Sequence, residues 1–546
     1  MKTIRSLVVP LAILIGVAYG YSRDVGAVPV HSDELVQLWL SQDLMQAMFG
    51  LGQPVSSEEV PDHAALNQPL MPFLLGVSRL VQGYGEDQIV APEDQAGGLV
   101  LPVSPALAAA RMSAIVLTAL TASLLFALGR RFGGWPTGLI TAGLFALNPV
   151  TLLHGRRALP ETLLLAAMAA AALALVHLGL RVHRAWRRQR DAAVALEVTS
   201  TAEPEWSAQQ MRIETARERE QSWRPPNMPS LMPPNQAALP EAETRDIVVA
   251  APEQGPAPRP KVVMPSPVAG PRWQAEQMRI KTAWDPDPTP GSTRPGHRLS
   301  LSSAWSAGWR GALGAGVLIG LAMGGRLIGA VMAGVAVGAL IWILWPRVET
   351  GLARVAAALA LSAVCLSVAL ATWVVVNPGL VSNPLGGASI LIQNRIDAVT
   401  LTPLPERSGL WLTDPLARMQ AAARSIFFAP PLIDAAAPPD WDVQRSNPYF
   451  SLPLTAPWPQ PWAGIVALCA VGLGVAAAVN RARRGGVAAI VMLLWLGAVF
   501  LGLAFAVPVD VQSRFMPLLP PACVLAAFGL TALISARGDL RALGRA

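Results

Sequence analysis

Met112-Ser-Ala-Ile-Val-Leu-Thr-Ala-Leu-Thr-Ala-Ser-Leu-Leu-Phe-Ala-Leu-Gly129, closed by Arg130-Arg131, holds no charged residue between its ends. A bilayer core of about 30 Å is crossed at ~1.5 Å per helical residue, so a spanning helix needs roughly 20 apolar residues. This stretch meets that need, and its basic closure marks a membrane boundary. Working outward, the same reading applies to residues 6–21, 136–153, 162–180, 311–325, 327–345, 355–376, 462–480, 485–507 and 515–534. The fold predicted is an all-α integral membrane protein with about ten transmembrane helices.

Composition agrees. Of 546 residues 53% are hydrophobic and 14% charged, more apolar surface than a soluble core of that length requires. The net charge of +7 does not point to nucleic acid, because the arginines cluster beside apolar runs rather than on one soluble face. Cys365, Cys469 and Cys523 all sit inside apolar runs, where a thiol behaves as a small hydrophobe; no disulfide or zinc framework is expected.

The first apolar run follows Lys2 and Arg5 and admits two readings, a signal peptide or a first membrane helix. The absence of a small-x-small cleavage pattern favours the helix. Arginines flank the spans at 130–131, 181–190, 347 and 354, 481–484 and 537–545. With the amino terminus inside, all of them fall on the cytoplasmic side, as the positive-inside bias requires. Residues 22–110 and 377–461 then face outward, and 181–308 faces the cytoplasm. Three regions follow: an N-terminal membrane region 1–182, an insertion 183–308 and a C-terminal membrane region 309–546.

The insertion is rich in Pro, Glu, Arg and Gln, so it buries too little apolar area to offset its ordering entropy and is expected to be largely disordered. It contains a duplication: Trp206-Ser-Ala-Gln-Gln-Met-Arg-Ile-Glu-Thr-Ala216 recurs as Trp273-Gln-Ala-Glu-Gln-Met-Arg-Ile-Lys-Thr-Ala283. Either these are docking peptides for a cytoplasmic protein partner, or they record a duplication in an unconstrained linker. Outside the membrane, Leu70–Val81 has the pattern of an interfacial helix. Trp441, Tyr449, Phe450, Trp458 and Trp462 suit an aromatic belt.

Charged residues gather on the outward side. His31-Ser-Asp-Glu34 precedes a helix-compatible apolar run, where Ser32 or Asp33 is suited to cap the helix. His154-Gly-Arg-Arg-Ala-Leu-Pro-Glu161 joins two spans on the same side, and its arginines oppose the positive-inside trend, which marks them as functional candidates. Glu161 is placed to pair with Arg156 or Arg157 and orient a guanidinium toward phosphate. Arg326 follows Gly324-Gly325 at the end of a short span and is expected below the membrane surface, facing a cavity. Arg514 opens Arg514-Phe-Met-Pro-Leu-Leu-Pro520 just before the last span. Snorkelling to the interface is the competing account of both.

These motifs, together with Arg111-Met-Ser-Ala-Ile, Leu128-Gly-Arg-Arg-Phe-Gly-Gly134, Ala146-Leu-Asn-Pro149 and Asn67-Gln-Pro-Leu70, resemble those of GT-C superfamily membrane glycosyltransferases. The similarity is to the protein mannosyltransferase and lipid A aminoarabinose transferase branch. It covers most of the chain outside 181–308, though a Gly-Gly-Arg stands where many relatives carry a Lys-containing turn. The resemblance implies transfer of a sugar from a polyprenyl-phosphate donor to a lipid, glycan or protein acceptor at the extracytoplasmic face. It implies Asp33 as the general base, with Glu34 the less favoured candidate, and Arg156, Arg157, Arg326 and Arg514 on the donor phosphate. Some relatives use a divalent cation, but no carboxylate or histidine cluster here demands one, and no metal ligand is assigned. A multi-pass transporter or lipid flippase is the competing class, and a noncatalytic scaffold using the duplicated peptide is a third. Alanine and arginine usage suggests a bacterial inner membrane.

Overall fold

The computed structural model describes residues 2–31, 33–38, 40–41, 69–84, 104–222, 299–348, 351–377, 414–428, 460–506 and 512–543, with a few isolated positions between. Among the described residues the chain is helical almost throughout, with one isolated bridge between Leu299 and Val348. It divides into two compact units, one of Met1–Arg190 with His297–Ala546, the other Asp191–Gly296. Among the described residues seven helices are long and apolar enough to cross a membrane: Pro105–Gly133, Pro160–Ala193, Leu327–Leu344, Gly351–Val375, Trp462–Arg483, Val487–Phe505 and Gln512–Ser535. This is the architecture of a multi-pass membrane protein.

The helices used below are α1 (Lys2–Ser22), α2 (Leu70–Val81), α3 (Pro105–Gly133), α4 (Trp135–Ala146), α5 (Pro149–His154), α6 (Pro160–Ser222), α7 (Leu301–Gly325), α8 (Val331–Leu344), α9 (Gly351–Val375), α10 (Pro415–Ala423), α11 (Gln460–Arg483), α12 (Val487–Ala506), α13 (Gln512–Phe515) and α14 (Leu519–Leu543). Three expected spans are not among the seven. The apolar part of α1 is only Leu7–Ser22, although Leu7, Leu11, Ile15 and Tyr19 form an exposed stripe of the kind that faces lipid. Stretch 311–325 is the second part of α7, a continuous helix of 25 residues with glycine throughout.

Stretch 136–153 is not one helix. It breaks at Leu147, and Asn148 caps a new helix by accepting the Val150 and Thr151 N–H groups, with Pro149 in the first turn. An asparagine N-cap followed by proline is a start signal for a helix and a stop signal for the one before it. Tyr21 Oη then donates to the Ala146 carbonyl at 2.7 Å, so a carbonyl at the end of α4, left without a helical partner, is satisfied by α1.

The disorder expected of the insertion does not hold over its first part, because α6 runs unbroken for 63 residues to Ser222. Residues 181–222 are dense in Ala, Arg, Glu and Gln, which lose little rotamer freedom in a helix. The first copy of the duplication lies on this helix. The second copy, at 273–283, falls outside the described residues, as do Trp441, Phe450 and Trp458.

One large apolar core joins α3 through α14. A smaller cluster of Leu38, Met71, Leu75, Leu107, Ala110, Ala114, Ala158 and Leu163 lies apart from it. This second cluster fastens α2 and the helical residues 33–38 and 40–41 onto α3 and the start of α6. It forms the floor on which the charged residues stand.

Candidate active site

His31 caps the helical turn that follows it, and the Asp33 side chain does not; Ser32 lies outside the described residues. The His31 Nδ1 accepts the Asp33 N–H at 3.1 Å, and the Glu34 carboxylate reaches back to the His31 N–H at 2.9 Å. This is the reciprocal arrangement of a capping box, with an imidazole where serine usually stands. It leaves the Asp33 carboxylate outside the cap. Burial and the Arg157 charge lower the His31 pKa, against Asp33, Glu34 and Glu161, so the ring is neutral with its proton on Nε2.

Glu34 is fully buried, and each of its oxygens accepts two hydrogen bonds. Oε1 takes Arg111 Nε at 2.8 Å and the Ala158 N–H at 2.7 Å; Oε2 takes Arg111 Nη2 at 2.8 Å and the His31 N–H. Burial alone pushes its pKa up, but Arg111, Arg157 and the Ala158 N–H outweigh this and hold it below the ordinary value. Arg111 also donates to the carbonyls of Val25, Val28 and Pro29. The pair therefore pins the loop after α1 to α3 and to the 155–159 turn. With no oxygen left to receive a proton from an acceptor, Glu34 has the geometry of an anchor and not of a base.

The two adjacent arginines differ. Arg157 Nε donates to the Pro29 carbonyl at 3.2 Å and Nη1 lies 3.4 Å from His154 Nδ1. His154 in turn meets Gln512 of α13 at 3.3 Å, and Gln512 donates to the Ser425 carbonyl. Burial, Arg157 and His31 hold the His154 pKa well below its ordinary value. Arg156 is 2% exposed, stacks over the Tyr21 ring at 5.2 Å, and its Nε has no hydrogen-bond partner among the described residues. Tyr449 is buried against Val28 and Leu153, and burial raises its pKa to about 12 against the pull of Arg156 and Arg157.

Glu161 does not pair with its sequence neighbours Arg156 and Arg157. It stands 2.7 Å from Arg326 Nη2, side chains 1% and 18% exposed. The reason is the ending of α7: Arg326 takes extended backbone there, and Gly325 lets the α6 backbone come close, since a Cβ at that position would lie 3.2 Å from Leu164 N. The contact is one of charge. Neither Glu161 oxygen has an aligned hydrogen bond, and neither does Arg326 Nε. Arg514 Nη2 lies 3.8 Å from Asp33 Oδ2, with both side chains partly open to solvent.

All seven predicted residues thus lie on one patch, Glu34 and Arg157 engaged in holding it together, Asp33, Arg326 and Arg514 at its open rim, and Arg156 and Glu161 beneath. With Arg111 included, five arginines face three carboxylates, so positive charge is in excess. Arg111, Tyr21 and Gln512 carry no role in the sequence reading. Arg111 was findable, because an arginine opening an outward end of a span opposes the positive-inside trend as Arg156 and Arg157 do. Among the described residues no three His, Cys, Asp or Glu side chains are placed to hold a metal ion.

No family model matches the chain, and no curated protein does. Two solved structures of the oligosaccharyltransferase of Archaeoglobus fulgidus align with 98% of it. The apo form has TM-score 0.40 and 11% identity over 52% of that chain. AglB in complex with an inhibitory peptide and a dolichol-phosphate has TM-score 0.40 and 12% identity over 51%. The chain therefore spans about half the length of these proteins.

Proposed function

We propose that the chain is a membrane glycosyltransferase that takes a sugar from a polyprenyl-phosphate donor at the extracytoplasmic face and passes it to a hydroxyl on a lipid, glycan or protein. The observation that carries this reading is the buried Arg156 guanidinium, whose Nε lacks a protein acceptor, within a patch that also holds the partly exposed Asp33. A buried cation with an unmet donor is costly unless an anion completes it. Phosphate supplies both the charge and the acceptor oxygens.

In the proposed reaction the acceptor oxygen attacks the anomeric carbon while Asp33 takes its proton. The bond from that carbon to the phosphate oxygen breaks, and polyprenyl phosphate leaves with the electron pair. Arg156 and Arg326 meet the charge that develops on the leaving oxygen, an effect that grows where water is excluded. Glu161 orients Arg326, and Arg514 orients Asp33. Arg157 and Glu34 act indirectly by fixing the loop and turn that carry Arg156 and Asp33. A divalent cation would neutralise phosphate charge, but no ligand set for one is assembled among the described residues, and no step is assigned to it.

The test is to incubate the purified full chain with radiolabelled polyprenyl-phosphate sugars and a membrane extract. Movement of label from one donor to an acceptor supports the reading. Donor binding or transbilayer movement without transfer supports the flippase class instead.

A further inference from the structure

At the other end of the α6 span, 20 residues and ~30 Å from Glu161, α6 and α7 separate and leave a cleft of about 790 Å³. The two helices are in close contact just before it, since a Cβ at Gly311 would lie 2.9 Å from the Leu178 side chain. Beyond that contact Arg181, Arg184 and Arg188 repeat at helical spacing on one wall, and Ser303, Ser306 and Arg310 repeat at the same spacing on the other. Gln189 Nε2 bridges the walls to Ser303 Oγ at 2.8 Å.

No carboxylate lines the cleft, and among the described residues no ion pair reaches its four arginines. Positive-inside topology explains arginines at a membrane boundary. It does not explain their convergence with two hydroxyls from a second helix. Leu299, Ala307 and Trp309 also line the cleft. An occupant therefore meets cations, hydroxyls and apolar surface there.

We propose that this cleft binds the phosphate headgroup of an anionic phospholipid, with its acyl chains leaving past Trp309. Basic pockets between membrane helices recognise lipid phosphates through such a combination, and guanidinium forks with serine hydroxyls suit phosphate oxygens. The site is independent of the proposed transfer chemistry at the opposite end of the bundle.

The test uses the purified full chain in phosphatidylcholine nanodiscs titrated with cardiolipin, with bound lipid counted by native mass spectrometry. Arg184→Gln with Arg188→Gln is expected to weaken cardiolipin binding about tenfold or more, since each arginine contributes measurably at a membrane surface. Arg483→Gln with Arg484→Gln removes equal charge outside the cleft and is expected to leave it unchanged. Arg184→Lys with Arg188→Lys, which keeps the charge, is expected to retain most of the binding and guards against a fold defect. Equal losses in the cleft and control pairs, or no loss in the cleft pair, overturn the proposal. Displacement of the lipid by millimolar inorganic phosphate overturns it as well, because the ligand is then a soluble anion.

Discussion

Replacing Arg111 with leucine strands the Glu34 carboxylate at a position where both side chains of the pair are 0% exposed. The substitution removes two of the four hydrogen bonds to Glu34 and releases the carbonyls of Val25, Val28 and Pro29. Breaking one partner of a buried ion pair costs about 3–5 kcal/mol, chiefly because the remaining charge is buried and unmet. At 1.36 kcal/mol per factor of ten, the loop after α1 should open roughly 10²–10⁴-fold more often. Hydrogen exchange of the purified protein reads this directly: residues 25–34 should lose protection while α11 and α14 keep theirs. Adding Glu34→Leu to Arg111→Leu removes the stranded charge and should restore part of the protection, because a paired apolar replacement is often neutral. Unchanged exchange at 25–34 in Arg111→Leu, or a further loss in the double variant, refutes the anchor role.

Arg156→Met is expected to leave the melting temperature of the ligand-free protein unchanged or higher, since it removes a buried cation with an unmet donor, while weakening donor binding at least tenfold; a clear fall in melting temperature contradicts this. His31 and His154 have lowered folded pKa values, so protons bind the unfolded chain preferentially, and stability should be full above about pH 6.5 and decline below it. His154→Gln should flatten that decline, measured by thermal melts across the range. A second loss, from Glu34, should come only below about pH 4.5, as the pH falls through its depressed folded value. Gly325→Val should push α7 from the Leu164 backbone and separate Arg326 from Glu161, lowering transfer at least as much as Arg326→Gln; normal transfer in Gly325→Val removes the positioning role of that contact.

The apolar spans, the gathering of charged motifs on one side and the extent of α2 were legible because each is written in local periodicity and charge order. Partnerships were not. Glu34 meets Arg111 across 77 residues of sequence, and nothing in either motif names the other. Glu161 lies close in sequence to Arg156 and Arg157, which made them its natural partners, yet the ending of α7 delivers Arg326 instead. His31 enters the helix cap because an imidazole can accept an N–H, a role that composition rules do not assign to it. The break at Asn148-Pro149 was overridden by the hydropathy of the flanking residues, which does not register a change of helix. Helix formers in 181–222 were outweighed in the reading by the prolines that follow them.

The central claim is that Asp33 is the base. Its carboxylate takes no part in the helix cap and faces Arg514 at 3.8 Å, so Asp33→Asn removes basicity without removing a cap. Rates of sugar transfer from the lipid-linked donor should be measured for the wild-type chain and Asp33→Asn, alongside melting temperature and donor affinity. Transfer is expected to fall roughly 10²–10⁴-fold, the range for loss of a general base, with melting temperature and donor affinity close to wild type. Transfer within a few-fold of wild type in a stable, donor-binding Asp33→Asn protein contradicts the account.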